Sequence, residues 1–224
     1  MDISCGGRKG GLYRPKVELY RPKVEEVLLQ IRPLIERFNG SALSSLVYVL
    51  EATSPWTLGH SDRTTRLALQ IGRAMELSPG ELWGLKMGAL LHDIGKLAVG
   101  PELLNKTGPL TEAERELIRE HVYVGAQLLE PFAPYRVAVP VILQHHERFD
   151  GSGYPRGLAG PSICLEARIL AVADVYDALT AERPYRGAFD RHRALQFIKE
   201  RSGSWFDPEV VEAFLEVCQG PISP

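Results

Sequence analysis

The stretch Leu91-His92-Asp93-Ile94-Gly95-Lys96 decides how this chain is read. It closes an apolar run from Glu81 through Trp83, Leu85, Met87, Leu90 and Leu91 that reads as helix to about residue 94. Ser78 suits the N-cap of that helix, with Pro79 at its first position and Glu81 completing a capping box. A His and an Asp side by side at the end of an apolar helix need an explanation, because neither side chain is stable inside without a partner. One explanation is a core histidine bonded to its neighbour's carboxylate. The other is a metal site. Neutral imidazole and a two-oxygen carboxylate suit a divalent transition metal, and one carboxylate can bridge two ions. The remaining histidines have to decide between the two.

The chain has 224 residues, enough for one large domain or a domain with a small appendage. Hydrophobic content of 45% and a formal net charge of -2 describe an ordinary globular protein and give no broad electrostatic case for a nucleic acid polymer. No apolar run approaches a membrane span, and residues 1–11 are Gly-rich and polar, with no signal-peptide core. Cys5, Cys164 and Cys218 are odd in number, widely spaced and form no CxxC pair, so a reducing cytoplasm is the expectation.

Residues 12–25 hold a direct repeat, LYRPKVE twice, whose prolines disfavour helix. We read 1–25 as an extended arm, 26–41 as a connecting helix, 42–218 as the main domain and 219–224 as a tail. Within the main domain, helical patterns run from Ala42 to Ala52, from His60 to Met75 and from Leu165 to Thr180. Thr111 and Glu114 form a second capping box, opening a helix from Glu112 to about Leu129. Asp190–Arg201 and Pro208–Val217 close the chain, the last capped by Asp207. No convincing period-two strand occurs, so the fold class is all-α, a helical bundle.

The sequence holds His60, His92, His121, His145, His146 and His192. The last lies in the polar run Asp190-Arg191-His192-Arg193 and is expected to face solvent. The other five stand at notable points. His60 opens a helix, His121 lies within the 112–129 helix, and His145 and His146 end an apolar segment. Asp174 sits inside Ile169-Leu170-Ala171-Val172-Ala173-Asp174-Val175, where an Asp should be paired, capped or metal-bound. Five His and two Asp on the inner sides of one bundle fit a shared polynuclear metal centre better than seven separate accidents.

The order of motifs resembles the HD-GYP domain family of HD phosphohydrolases, which degrade cyclic di-GMP. The motifs are HDIGK at 92–96, the isolated His121, HHERFDGSGYP at 145–155 and ILAVADVYDALTAERPYR at 169–186. The resemblance covers roughly residues 42–217. It implies a binuclear centre of iron or manganese. His60, His92, Asp93 and Asp174 would hold one ion, and Asp93, His121, His145 and His146 the other, with Asp93 bridging. Some members add a third ion through a Glu four residues before the first His. Here that position is Trp56, which cannot ligate, so two ions are expected.

Lys96 matches the family lysine that meets the scissile phosphate. Gly153-Tyr154-Pro155 is the signature loop, placed to line the substrate cleft. The loop is also the surface the resemblance offers to diguanylate cyclase (GGDEF) partners, and a homodimer stays open. Arg183 and Arg186 match phosphate-contacting positions, where planar guanidinium binds in bidentate fashion. Glu147 and Asp150 are expected to orient metal-bound imidazoles or fix the loop. The implied reaction is hydrolysis of cyclic di-GMP to the linear dinucleotide, or on to GMP. The nucleophile would be a hydroxide shared by two ions about 3.5–4 Å apart. Two other readings stand beside it: another HD nucleotide phosphohydrolase, and a non-catalytic cyclic di-GMP receptor or interaction module.

Overall fold

A computed structural model describes residues 58–182 and 187–219, together with Leu29, Val47 and Glu51, which are helical. The 12–25 repeat, most of the two helices expected before residue 53, Trp56, Arg183 and Arg186 lie outside the described residues. The architecture is all-α. The helices are α1 (His60–Ala74), α2 (Pro79–Leu91), α3 (Pro101–Leu104), α4 (Glu112–Arg119), α5 (His121–Leu129), α6 (Val139–Gln144), α7 (Leu165–Thr180), α8 (Arg191–Lys199) and α9 (Pro208–Gln219). Short 3-10 turns occupy Ile94–Ala98, Ala133–Ala138 and Gly160–Ser162. Extended pairing among the described residues amounts to a single bridge between Ser202 and Phe206. No helix among them is long and apolar enough to cross a membrane.

Local chemistry sets the boundaries. Ser78 Oγ accepts from Glu81 N at 3.4 Å and Glu81 Oε2 accepts from Ser78 N at 2.8 Å, so both expected halves of this capping box form. Thr111 and Glu114 repeat the arrangement at 3.3 and 2.7 Å. Two expected helices are shorter than their apolar patterns. The 112–129 helix breaks at Glu120, and His121 starts α5 instead of sitting inside one long helix. Beside the break, the Ile118 carbonyl accepts from the His121 ring at 2.6 Å, a side-chain bond that competes with the backbone ladder. Likewise α2 stops at Leu91, and the chain turns through Asp93 into a 3-10 segment that carries Lys96. At the other end α9 continues to Gln219, one residue into the expected tail.

Among the described residues, two apolar clusters form the core. The larger surrounds α7 and includes Ile71, Leu85, Ile169, Leu170, Val172 and Phe214. The smaller joins Leu91, Ile94, Leu128, Leu129 and Ile142. Fully burying one such side chain contributes roughly 1.5–3 kcal/mol. Helix α7 packs against α1, α2, α6, α8 and α9, while α5 packs on α6 and on the 3-10 turn after α2.

That last contact is very close. A Cβ on Gly95 would lie 1.9 Å from the His121 carbonyl oxygen and 2.6 Å from Gly125 N. Only a residue without a side chain lets the HDIGK turn touch the start of α5. Gly95→Ala should therefore cost on the order of 3 kcal/mol or more, since the obstacle is backbone. Gly80, in the first turn of α2, has nothing within 4 Å of an added Cβ. Gly80→Ala should be neutral or stabilising by up to about 1 kcal/mol. Urea unfolding of both chelated variants checks the pair, and equal effects would refute the close-approach account.

Candidate metal centre

The seven residues singled out from the sequence come together. His60, His92 and Asp93 form one buried group whose ligand atoms lie within 4.8 Å of each other, and His121, His145 and His146 form another. Asp174 Oδ1 is 3.2 Å from His60 Nε2 and 4.0 Å from His92 Nε2, so it belongs with the first group. Asp93 stands between the groups. Its Oδ2 is 3.5 Å from His92 Nε2 and its Oδ1 is 3.6 Å from His121 Nε2.

The rings are aimed by the ends of helices. His92 Nδ1 bonds the Ala89 carbonyl at 2.7 Å, His121 Nδ1 the Ile118 carbonyl at 2.6 Å, and His145 Nδ1 the Ile142 carbonyl at 2.8 Å. Each ring thus satisfies a carbonyl three residues back, where a helix ending leaves acceptors unpaired. The outer nitrogen is used up and Nε2 points inward. At His121 and His145 that Nε2 is buried and has no hydrogen-bond partner. Two orphaned imidazole nitrogens beside a carboxylate are a donor set a divalent transition metal takes, so these residues fit a divalent metal ion.

His60 is placed from two sides. Gly59, at φ +73° where glycine is at ease, donates its N–H to Glu51 Oε2 at 2.7 Å, and Ser61 N donates to Glu51 Oε1 at 2.7 Å. On the ring side, His60 Nδ1 lies 2.7 Å from Asp177 Oδ2. Glu51 and Asp177 were not singled out from the sequence. Asp177 had a signal there: it follows Asp174 by three residues on an apolar helix, hence on the same face. Glu51 had none, because its partners are backbone amides.

Lys96 donates from Nζ to Asp93 Oδ2 at 2.6 Å. In the signature loop, Tyr154 N donates to the His146 carbonyl at 3.2 Å, and the Tyr154 ring stacks on His146 with centroids 4.8 Å apart. The Arg119 guanidinium lies 5.1 Å from the centre of the same Tyr154 ring, a third residue not foreseen. Gly153 lies against the Glu147–Arg148 backbone, and the Tyr154–Pro155 peptide is cis. Of the two roles expected for Glu147 and Asp150, the hydrogen bonds show loop fixing. Glu147 accepts from Arg156 N at 2.7 Å and Leu158 N at 3.0 Å, and Asp150 accepts from Ser152 N at 2.8 Å. His192 is exposed, as expected.

The electrostatics divide the rings. Burial, aided by neighbouring His146, pushes His121 down to about 3, and burial pushes His146 down to about 4. His145 moves the same way for the same reason. Burial would also lower His60, but its bonds to Asp174 and Asp177 raise it to about 10. Burial would raise the Asp93 carboxyl, yet Lys96 and His92 hold it well below the usual carboxylate range. Asp174 is likewise held down, against burial, by His60.

A profile of the HD domain matches residues 45–210. The chain is 38% identical over 181 residues to the 3'3'-cGAMP-specific phosphodiesterase 3 of Vibrio cholerae, covering 81% of this chain and 39% of that one. It is 42% identical over 177 residues to the cyclic di-GMP phosphodiesterase PA4108 of Pseudomonas aeruginosa, covering 79% and 42%. Among solved structures, a cyclic GMP-AMP specific phosphodiesterase of V. cholerae superposes with a TM-score of 0.62 at 25% identity, covering 80% of this chain and 48% of that one. The chain thus spans less than half the length of each of these relatives.

The pKa pattern fixes how the chelated protein should respond to pH. Unfolded histidines take protons near 6.5, whereas folded His146 and His121 do so near 4 and 3. Between these values the unfolded chain binds more protons, so stability falls as pH drops from about 6.5 towards 4. His60 has the opposite sign. Its folded value lies above the unfolded one, so its stabilisation is complete below about 6.5 and is lost as pH rises towards 10. Urea unfolding in excess chelator across this range should show both limbs. His146→Asn should flatten the acid limb alone, and an acid limb unchanged in that variant would count against the assignment.

Proposed function

The chain belongs to the HD domain family, in its HD-GYP branch, and on that premise we propose that it is a metal-dependent phosphodiesterase acting on cyclic di-GMP. The observation that carries this reading is Asp93 lying between two sets of buried imidazoles with the Lys96 ammonium against it. His60, His92, Asp93 and Asp174 would hold one divalent ion, and Asp93, His121, His145 and His146 a second. Mixed imidazole and carboxylate donors suit iron or manganese. Ions so held would supply Lewis acidity toward a phosphoryl oxygen and make water a nucleophile near neutral pH.

The chain's own residues supply the rest. Lys96 is partly exposed and touches the shared carboxylate, so its ammonium can turn to a phosphate oxygen and offset the charge that develops there. Tyr154 covers the His146 ring and keeps water from that side of the centre. Arg183 and Arg186 are assigned to the phosphates of the dinucleotide. The product is the linear dinucleotide, with GMP as the further product. The described cysteines Cys164 and Cys218 are free thiols, in keeping with a cytoplasmic setting. The Gly153-Tyr154-Pro155 loop is the surface assigned to a GGDEF partner.

A second reading, 3'3'-cGAMP as substrate, is favoured by the name of the V. cholerae relative at 38% identity. Parallel hydrolysis of cyclic di-GMP, 3'3'-cGAMP and a guanosine alarmone by protein loaded with Mn or Fe discriminates them. Preference for cyclic di-GMP with linear product supports the first reading, preference for 3'3'-cGAMP the second, and cleavage of the alarmone alone overturns both.

Two substitutions test the roles. Asp93→Asn should weaken both ions tenfold or more and abolish turnover. It should leave the chelated fold within about 1–3 kcal/mol of wild type, since Asn keeps the shape but loses the charge. Normal metal content and turnover in this variant would sink the bridging role. Lys96→Met should keep both ions and lower kcat on the order of 10²–10³-fold, the scale of losing one charge-stabilising donor. Wild-type turnover would return Lys96 to a surface cation.

A further inference from the structure

His60 is held differently from the other rings of the centre. His92, His121 and His145 give Nδ1 to backbone carbonyls, whereas His60 gives Nδ1 to the carboxylate of Asp177. Asp177 is itself buried, at 7% exposure, and clamped. Arg63 Nε donates to its Oδ1 at 2.6 Å and Arg63 Nη2 to its Oδ2 at 3.1 Å. Arg63 Nη1 also holds the Leu58 carbonyl at 3.1 Å, which ties the pair to the turn before α1. A charged acceptor on the outer nitrogen fixes an imidazole and makes its inward nitrogen a stronger donor than a carbonyl does.

The negative charge is therefore unevenly shared. The His60 half of the centre has Asp174 at 3.2 Å from His60 Nε2, with Asp177 behind the ring and the shared Asp93 beside His92. The half made by His121, His145 and His146 has the shared Asp93, with Asp174 also acting on His145 and His146, and backbone carbonyls instead of a carboxylate behind the His121 and His145 rings. We propose that Asp177 is a positioning residue that makes the two halves unequal. The half built on His60 and Asp174 takes the first divalent ion, and the histidine-rich half takes the second. This rests on the metal-binding reading given above and concerns the order of loading, not the substrate.

The experiment is a Mn(II) titration of the chelated full chain, followed by equilibrium dialysis and by electron paramagnetic resonance. Wild type should load in two separable steps. The first equivalent should give an uncoupled Mn signal and the second a spin-coupled pair. Asp177→Asn should weaken the first step 10- to 100-fold and leave the second unchanged, so that one equivalent already yields a mixture. Arg63→Gln keeps the carboxylate and removes its counter-charge, so the first step should hold or tighten. A purely structural Asp177 predicts instead that both variants lose both steps together.

That outcome, or an Asp177→Asn variant with wild-type steps, overturns the proposal, as does simultaneous loading in wild type. If Asp177→Asn does not fold, wild type and Arg63→Gln still decide between these outcomes. Wild type that takes no Mn overturns the metal reading and this proposal together. Ordered loading in a protein that leaves cyclic dinucleotides intact supports this proposal while the substrate reading fails.

Discussion

The two oxygens of Asp93 face imidazoles on opposite sides, 3.5 Å from His92 and 3.6 Å from His121, at a position almost closed to solvent. A carboxylate there is stable only with positive charge beside it. In the protein itself that charge comes from Lys96, three residues on, at 2.6 Å. Much of the local architecture follows from this need. Helix α2 stops at Leu91, and the 3-10 turn that follows keeps Asp93 and Lys96, three residues apart, on the same side. The turn that follows has to lie against α5 so that the His121 ring reaches the second oxygen. Gly95 makes that approach sterically possible.

Helix endings do most of the positioning. In the middle of an α-helix a histidine would meet carbonyls already engaged in the ladder. At a terminus the last carbonyls are free, and Nδ1 can take one while Nε2 is delivered elsewhere. His92 and His145 occupy the C-cap positions of α2 and α6, and His121 uses the last turn of α4. The centre thus lies where several helices end between two apolar clusters. Its rigidity derives from those clusters, since each ring is fixed to backbone that the core already holds in place.

Much of this could be read from residue order. The capping boxes at Ser78 and Thr111 are local chemistry, complete within four residues, and α7 has the bounds its apolar pattern gives. The convergence of the five histidines with Asp93 and Asp174 was legible because unpaired polar groups on apolar helices must meet something. What escaped was of another kind. The break at Glu120 depends on a side chain competing for a single carbonyl, which periodicity does not register. Asp177 meets a ring 117 positions away, and Glu51 acts on backbone amides, which carry no residue identity. Arg119 over Tyr154 joins an exposed helix to a loop whose path only the tertiary fold defines.

The unbonded, buried Nε2 atoms of His121 and His145 also bear on how much of the chain is folded. An ion that binds these nitrogens binds the native state and hardly at all the unfolded one. At a free concentration a thousand times its dissociation constant it adds about 4 kcal/mol to stability. A whole domain commonly has only about 5–15 kcal/mol. The population of native chains is therefore set partly by the supply of free metal in the surrounding fluid. A destabilising mutation far from the centre would be silent in metal-replete growth and would surface as loss of protein under starvation.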